Sequence, residues 1–82
     1  MDAFGALKAA ASAASVPTTH IGPAMGKGPS YVANGAARGS SPRCDTMARM
    51  LRVCGYALVA VPLADVPASG VVIDAPAVGG EA

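Results

Sequence analysis

Apolar residues recur at helical spacing along the front of the chain and give way to β-branched runs near its end. Between Ala3 and Ala14, the residues Phe4, Leu7, Ala11 and Ala14 fall near the i, i+3, i+7 positions of one face. That spacing predicts a helix. Asp2 ahead of it is an N-cap whose charge suits the positive end of the helix dipole. Pro17 stops this helix. Thr18 or Thr19 then caps a second, short helix running to about Met25, with Ile21 and Met25 turned inward. Gly26 ends it as a permissive C-terminal residue. After Lys27-Gly28, Pro29 sits at a first helical turn, where its missing N–H would be unpaired anyway. Tyr31, Val32 and Ala33 continue the third helix, and Gly39 ends it.

The segment Gly39-Ser40-Ser41-Pro42 is a turn by composition. Cys44 or Asp45 begins a fourth helix with an apolar stripe of Met47, Met50, Leu51 and Cys54. Arg49 and Arg52 lie off that stripe and read as a solvated face. Gly55 closes the helix. Tyr56 to Val61 and Val71 to Ile73 are short, β-rich and bounded by Gly or Pro, so both read as strands. With Pro62 to Gly70 as the loop, they predict an antiparallel hairpin. The expected fold is mainly α: a four-helix helix-turn-helix domain over residues 1–55, followed by a C-terminal β-hairpin over 56–75. Residues 76–82 are a flexible tail.

Composition changes this picture in one respect. Hydrophobic residues are 52% of the 82, but much of that is alanine, which buries little area. Charged residues are 13%, against about 25% in ordinary soluble proteins. So thin a core, gaining roughly 25 cal/mol per Å² of apolar burial, leaves little margin over ordering entropy. A homodimer is the expected remedy. The hairpin would either only cover the helical core or pair by its edge with the same strand of a second copy; both its faces are apolar, which favours burial on both sides and a homodimer through Tyr56, Leu58, Val59, Val61 and Val72.

Charge is the second change. The net formal charge is only +1, yet all 6 Lys and Arg residues precede residue 64. Asp65, Asp74 and Glu81 follow with no cation among them. A basic front of this size suits a polyanion.

Two short helices joined by a tight glycine turn are the helix-turn-helix geometry. The residues are Thr18-Thr19-His20-Ile21-Gly22-Pro23-Ala24-Met25-Gly26, then Lys27-Gly28-Pro29-Ser30-Tyr31-Val32. This stretch resembles the Cro/C1-type (XRE-like) repressor family of phage, mobile-element and bacterial regulators. Gly22 stands for the small residue four before the turn, Gly26 for the turn, and Ser30-Tyr31-Val32 for the Ser-aromatic-β-branched run. Gly39, Pro42, Thr46, Leu51 and Gly55 extend the resemblance over roughly residues 3 to 55. The chain departs from the pattern at Gly22, where alanine is expected, at Pro23 inside the second helix, and at Gly35 inside the third.

The resemblance implies a transcription regulator that places its third helix in a major groove of double-stranded DNA. Lys27, Ser30 and Tyr31 would be the exposed side chains at its start, with Asn34 one turn further on the same face. Asn is suited to a bidentate contact with adenine, and Ser to several base edges. Lys27, Arg38 and Arg43 would hold phosphates, joined by Thr19 at the start of the second helix. A symmetric dimer would present two such helices to a palindromic operator.

A second expectation has no DNA in it. The eroded third helix, with Gly35, Ala36 and Ala37, and the acidic end fit a phage-encoded, anti-CRISPR-like inhibitor on the same scaffold. Its partner would be a host CRISPR effector.

Other classes are disfavoured. Cys44 and Cys54 form no C-x-x-C pair and only His20 could join them, so no metal site is expected. There is no Ser/His/Asp set, no paired carboxylate site and no phosphate loop, which argues against an enzyme or a cofactor. The uncharged run from Val53 to Ala64 is too short to span a bilayer. Asp2 stands where a signal peptide needs positive charge. A cytoplasmic location with reduced thiols is expected.

Overall fold

The computed structural model describes residues 1–39 and 41–73. Among them the chain is mainly helical, with α1 (Ala3–Ala13), α2 (Thr18–Ala24), α3 (Tyr31–Ala37) and α4 (Cys44–Val53). A single 3₁₀ turn spans Leu63–Asp65. Asp2 caps α1 as the sequence predicts: its Oδ1 accepts a 2.7 Å hydrogen bond from the Gly5 N–H. That bond satisfies one of the donors a helix start leaves unpaired.

The other starts differ from expectation. Neither Thr18 nor Thr19 caps α2. Pro17 stands outside the helix with φ −61°, and Thr18 is already helical. α3 begins at Tyr31 rather than at Pro29. The Tyr31 N–H donates to the Gly28 carbonyl at 3.2 Å, so Pro29 and Ser30 are the middle of a β-turn. Proline suits the second position of such a turn, and Ser30 at φ −91°, ψ 9° fits the third.

Three helices end alike. The Val16, Lys27 and Tyr56 N–H groups reach back to the carbonyls of Ala11, Gly22 and Leu51 at 2.9, 2.8 and 2.9 Å. Inside each, the Ser15, Gly26 or Gly55 N–H donates to the next carbonyl along, that of Ser12, Pro23 or Arg52, the pattern of the Schellman motif. The motif needs a left-handed residue. Gly26 and Gly55 supply it for α2 and α4, but α1 uses Ser15 at φ 57°.

The core joins all four helices. Ala6, Leu7, Ala10 and Ala11 come from α1, Ile21 from α2, Val32 from α3, and Met47, Met50 and Leu51 from α4, with Cys54 just beyond. Leu7, Ile21, Met50 and Val32 are its largest fully buried side chains. The small side chains let helices approach closely. A Cβ on Gly22 would run into the Gly28 carbonyl oxygen and lie 2.9 Å from the Tyr31 Cβ. A Cβ on Gly35 would lie 2.7 Å from the Phe4 Cζ. The two glycines that depart from the sequence pattern are thus where α3 meets α2 and where the Phe4 ring meets α3.

Among the described residues the expected β-hairpin of 56–75 is not formed. Residues 56–61 and 71–73 carry no strand, and no ladder hydrogen bond joins them among the described residues. The connection holds the 3₁₀ turn and a bend closed by the Gly70 N–H on the Pro67 carbonyl at 2.9 Å. The physical reason is in the connection and the pair. Pro62 and Pro67 remove donors and fix φ, the loop lacks a tight two-residue turn, and a lone strand pair is marginal. β-propensity follows packing rather than setting it. Both segments instead run along an open apolar groove of about 640 Å³ floored by Ala6, Ala10 and Leu51. Residues 74–75 of the expected hairpin and the tail 76–82 lie outside the described residues.

Two stability changes test these local arguments in thermal or urea unfolding. Ser15→Gly relieves a left-handed residue of its Cβ and should stabilise the fold by about 1 kcal/mol. Gly22→Ala gains helix propensity but meets backbone, and should destabilise by about 2 kcal/mol, as overpacking does. Equal stability of the Gly22→Ala protein would refute the close approach of α2 and α3.

Candidate nucleic-acid interface

The turn from α2 into α3 is fixed by backbone. The Gly22 carbonyl accepts from both the Met25 and Lys27 N–H groups at 2.9 and 2.8 Å. Gly26 takes the left-handed conformation that reverses the chain. α3 then turns Val32 and Gly35 into the core. Ser30, Ala33, Asn34, Ala37 and Arg38 are left exposed. The outward surface therefore carries two small hydrogen-bonding side chains, two methyl groups and one cation, with no bulky residue to hold a partner away.

Tyr31 is not exposed as expected. It is half-buried and packs against the core, because it faces the groove beside α4 rather than open solvent. The Lys27 Nζ stands 6.0 Å from its ring centroid, at the outer limit of a cation–π contact. Lys27 itself is exposed, as are Thr19, Arg38 and Arg43. Arg43 has a partner that the sequence did not reveal. Its Nε lies 3.4 Å from the Asp45 Oδ1, both side chains being largely exposed. Such a surface pair is worth about 0–1 kcal/mol and yields readily to another anion.

Two adjoining depressions gather the basic residues. One, of about 440 Å³, is lined by Lys27, Arg49 and Arg52 with Met25, Tyr31 and Thr46 among its walls. The other, of about 240 Å³, is lined by Arg38 and Arg43 with Phe4, Tyr31, Gly35 and Thr46. Tyr31 and Thr46 border both. Five cations therefore flank one Tyr31–Thr46 divide, while Lys8 stands apart on α1. Thr19 lines neither depression. Ser30 and Asn34 are exposed and line neither depression; Asn34 stands one helical turn from Arg38 on α3.

Arg49 and Arg52 are the residues that sequence reasoning set aside. Their i, i+3 spacing off the apolar stripe of α4 was visible. Nothing in one dimension said that this face of α4 borders the α2–α3 turn. The residues expected to dimerise, Tyr56, Leu58, Val59, Val61 and Val72, all border the apolar groove along α1 and α4.

Other chemistry is sparse. Cys44 is exposed and Cys54 buried, both as free thiols. Burial pushes the Cys54 thiol up, which keeps it protonated and unreactive. Among the described residues no three His, Cys, Asp or Glu side chains gather as a metal site, and no helix is long and apolar enough to cross a membrane. No family model, no curated protein and no solved structure matches the chain.

Proposed function

We propose that the chain is a small DNA-binding regulator in which α2 and α3 act as a helix-turn-helix pair and α3 enters a major groove. The observation that carries the proposal is the set of exposed polar and basic side chains on and around α3: Ser30 and Asn34, with Lys27 before the helix and Arg38 and Arg43 after it. In this arrangement Asn34 contacts adenine through both its amide atoms, and Ser30 takes a neighbouring base edge. Ala33 and Ala37 leave room for thymine methyl groups. Lys27, Arg38, Arg43 and the Thr19 hydroxyl contact phosphates, which fix register without reading sequence. Tyr31 supports α3 from behind instead of touching bases.

The regulator acts as a homodimer that pairs two α3 helices with a palindromic site. The apolar segment after α4 supports this: Val59 is 70% and Leu63 92% exposed in the single chain. Leu58, Val61 and Val72 are exposed beside them. Apolar packing of this segment, not sheet pairing, joins the copies. The same segment is the surface a host effector protein would cover if the chain is instead an inhibitor.

Selection from a randomised duplex pool at low salt tests the DNA contact. The wild type should enrich a defined sequence, with log K against log salt falling by about 0.9 per phosphate contact. Ser30→Ala with Asn34→Ala should abolish the preference, each contact being worth about 1–3 kcal/mol. Lys27→Ala should weaken all sequences alike and reduce the salt slope by about 1. An unenriched pool would end the proposal. Separately, sedimentation should report a dimer that Val59→Asp converts to monomer, since a buried unpaired carboxylate is strongly disfavoured.

A further inference from the structure

The larger basic depression has a character of its own. α4 passes the α2–α3 turn so that Arg49 and Arg52, three residues apart on one side of the helix, share a groove with Lys27. Among the described residues none of the three forms an ion pair; Asp45, the carboxylate of α4, pairs with Arg43 and does not line the groove. Three like charges in a space of about 440 Å³ repel one another. A bound anion with several charged oxygens relieves that repulsion and can accept a forked hydrogen bond from either guanidinium. The Thr46 side chain adds a hydroxyl to the same lining.

The rest of the lining calls for more than an inorganic anion. Ala24, Met25 and Val53 make an apolar wall, and Tyr31 presents an aromatic ring. Methionine and tyrosine suit a planar, polarizable partner. The volume would admit a small ligand, in a depression that stays widely open to solvent. An anionic group joined to a flat apolar body satisfies both halves.

We propose that this groove is a nucleotide-binding site in which Arg49, Arg52 and Lys27 hold the phosphate and Met25, Tyr31 and Val53 receive the base. The same chemistry is offered by a free nucleotide and by one nucleotide unit of a nucleic acid. The site does not require α3 to read a duplex, so it stands or falls apart from the function proposed above. If duplex DNA is also bound, Lys27 belongs to both sites and a free nucleotide competes with the duplex.

Titration of the full chain by calorimetry and by NMR tests this with three probes: adenosine triphosphate, inorganic triphosphate, and a short single-stranded oligonucleotide of mixed sequence. The triphosphate of adenosine should bind at least tenfold more tightly than inorganic triphosphate and shift the Tyr31 ring resonances. Arg49→Gln with Arg52→Gln, both exposed changes that keep most of the side-chain stem and a polar end, should weaken binding roughly tenfold or more, the scale of hydrogen bonds to charged groups. Lys8→Ala, a cation removed away from the groove, should leave it unchanged.

Binding of the free nucleotide identifies that source. Binding of the oligonucleotide alone, lost in the double variant, identifies the polymer. The proposal is overturned if neither nucleotide probe binds, if the double variant binds as the wild type does, or if Lys8→Ala weakens binding equally. It also fails if inorganic triphosphate binds as tightly as the nucleotide.

Discussion

The approach of α3 to α2 at Gly22 is the constraint on which the rest of the molecule depends. There is no room for a side chain at this position, because the Gly28 carbonyl occupies the space a Cβ would need. The same residue's carbonyl closes the turn by accepting from Met25 and Lys27. One glycine therefore sets how close the two helices lie and where the chain leaves the first of them. Everything presented by α3 follows from that placement: Val32 in the core, Tyr31 at the groove it shares with α4, and Ser30, Asn34 and Arg38 facing outward.

The chain holds this arrangement with little apolar material. Its buried set is rich in alanine, and only a few larger side chains are fully enclosed. Small residues compensate by letting neighbours come close, as Gly35 does beneath the Phe4 ring. Glycine weakens a helix by about 1 kcal/mol relative to alanine, so its presence inside α3 makes sense only through the contact it permits. The repeated helix-end motif adds order at low cost in side chains, since its hydrogen bonds come from the backbone alone. Among the described residues, most of the large exposed apolar side chains lie in the segment beyond α4, Val59 and Leu63 foremost.

Electrostatics gives this nearly neutral chain a sided surface. Apart from Lys8 on α1, positive charge is spread over three sequence regions: the turn before α3, the end of α3 with the loop after it, and α4. Packing brings these regions to either side of Tyr31 and Thr46. Asp45 tempers one edge through Arg43, while the other edge, with Arg49 and Arg52, keeps its charge. An anion approaching this face meets cations from separate helices, and their relative placement depends on the same α2–α3 approach.

The sequence by itself determined where the four helices lie and the larger side chains of their inner faces. Periodicity marked Leu7, Ile21, Met50 and Leu51, and local chemistry marked the Asp2 cap and the glycine ends, because these depend on residues within one or two turns. It could not decide the segment after Gly55, where β-branched residues suit a strand only if a partner and a suitable turn exist; proline in the connection supplied neither. Nor could it tell that Gly22 and Gly35 were contacts instead of flaws, that Tyr31 faces α4, or that Arg49 and Arg52 join Lys27. Those outcomes turn on distances between residues far apart in the chain, which only tertiary packing sets.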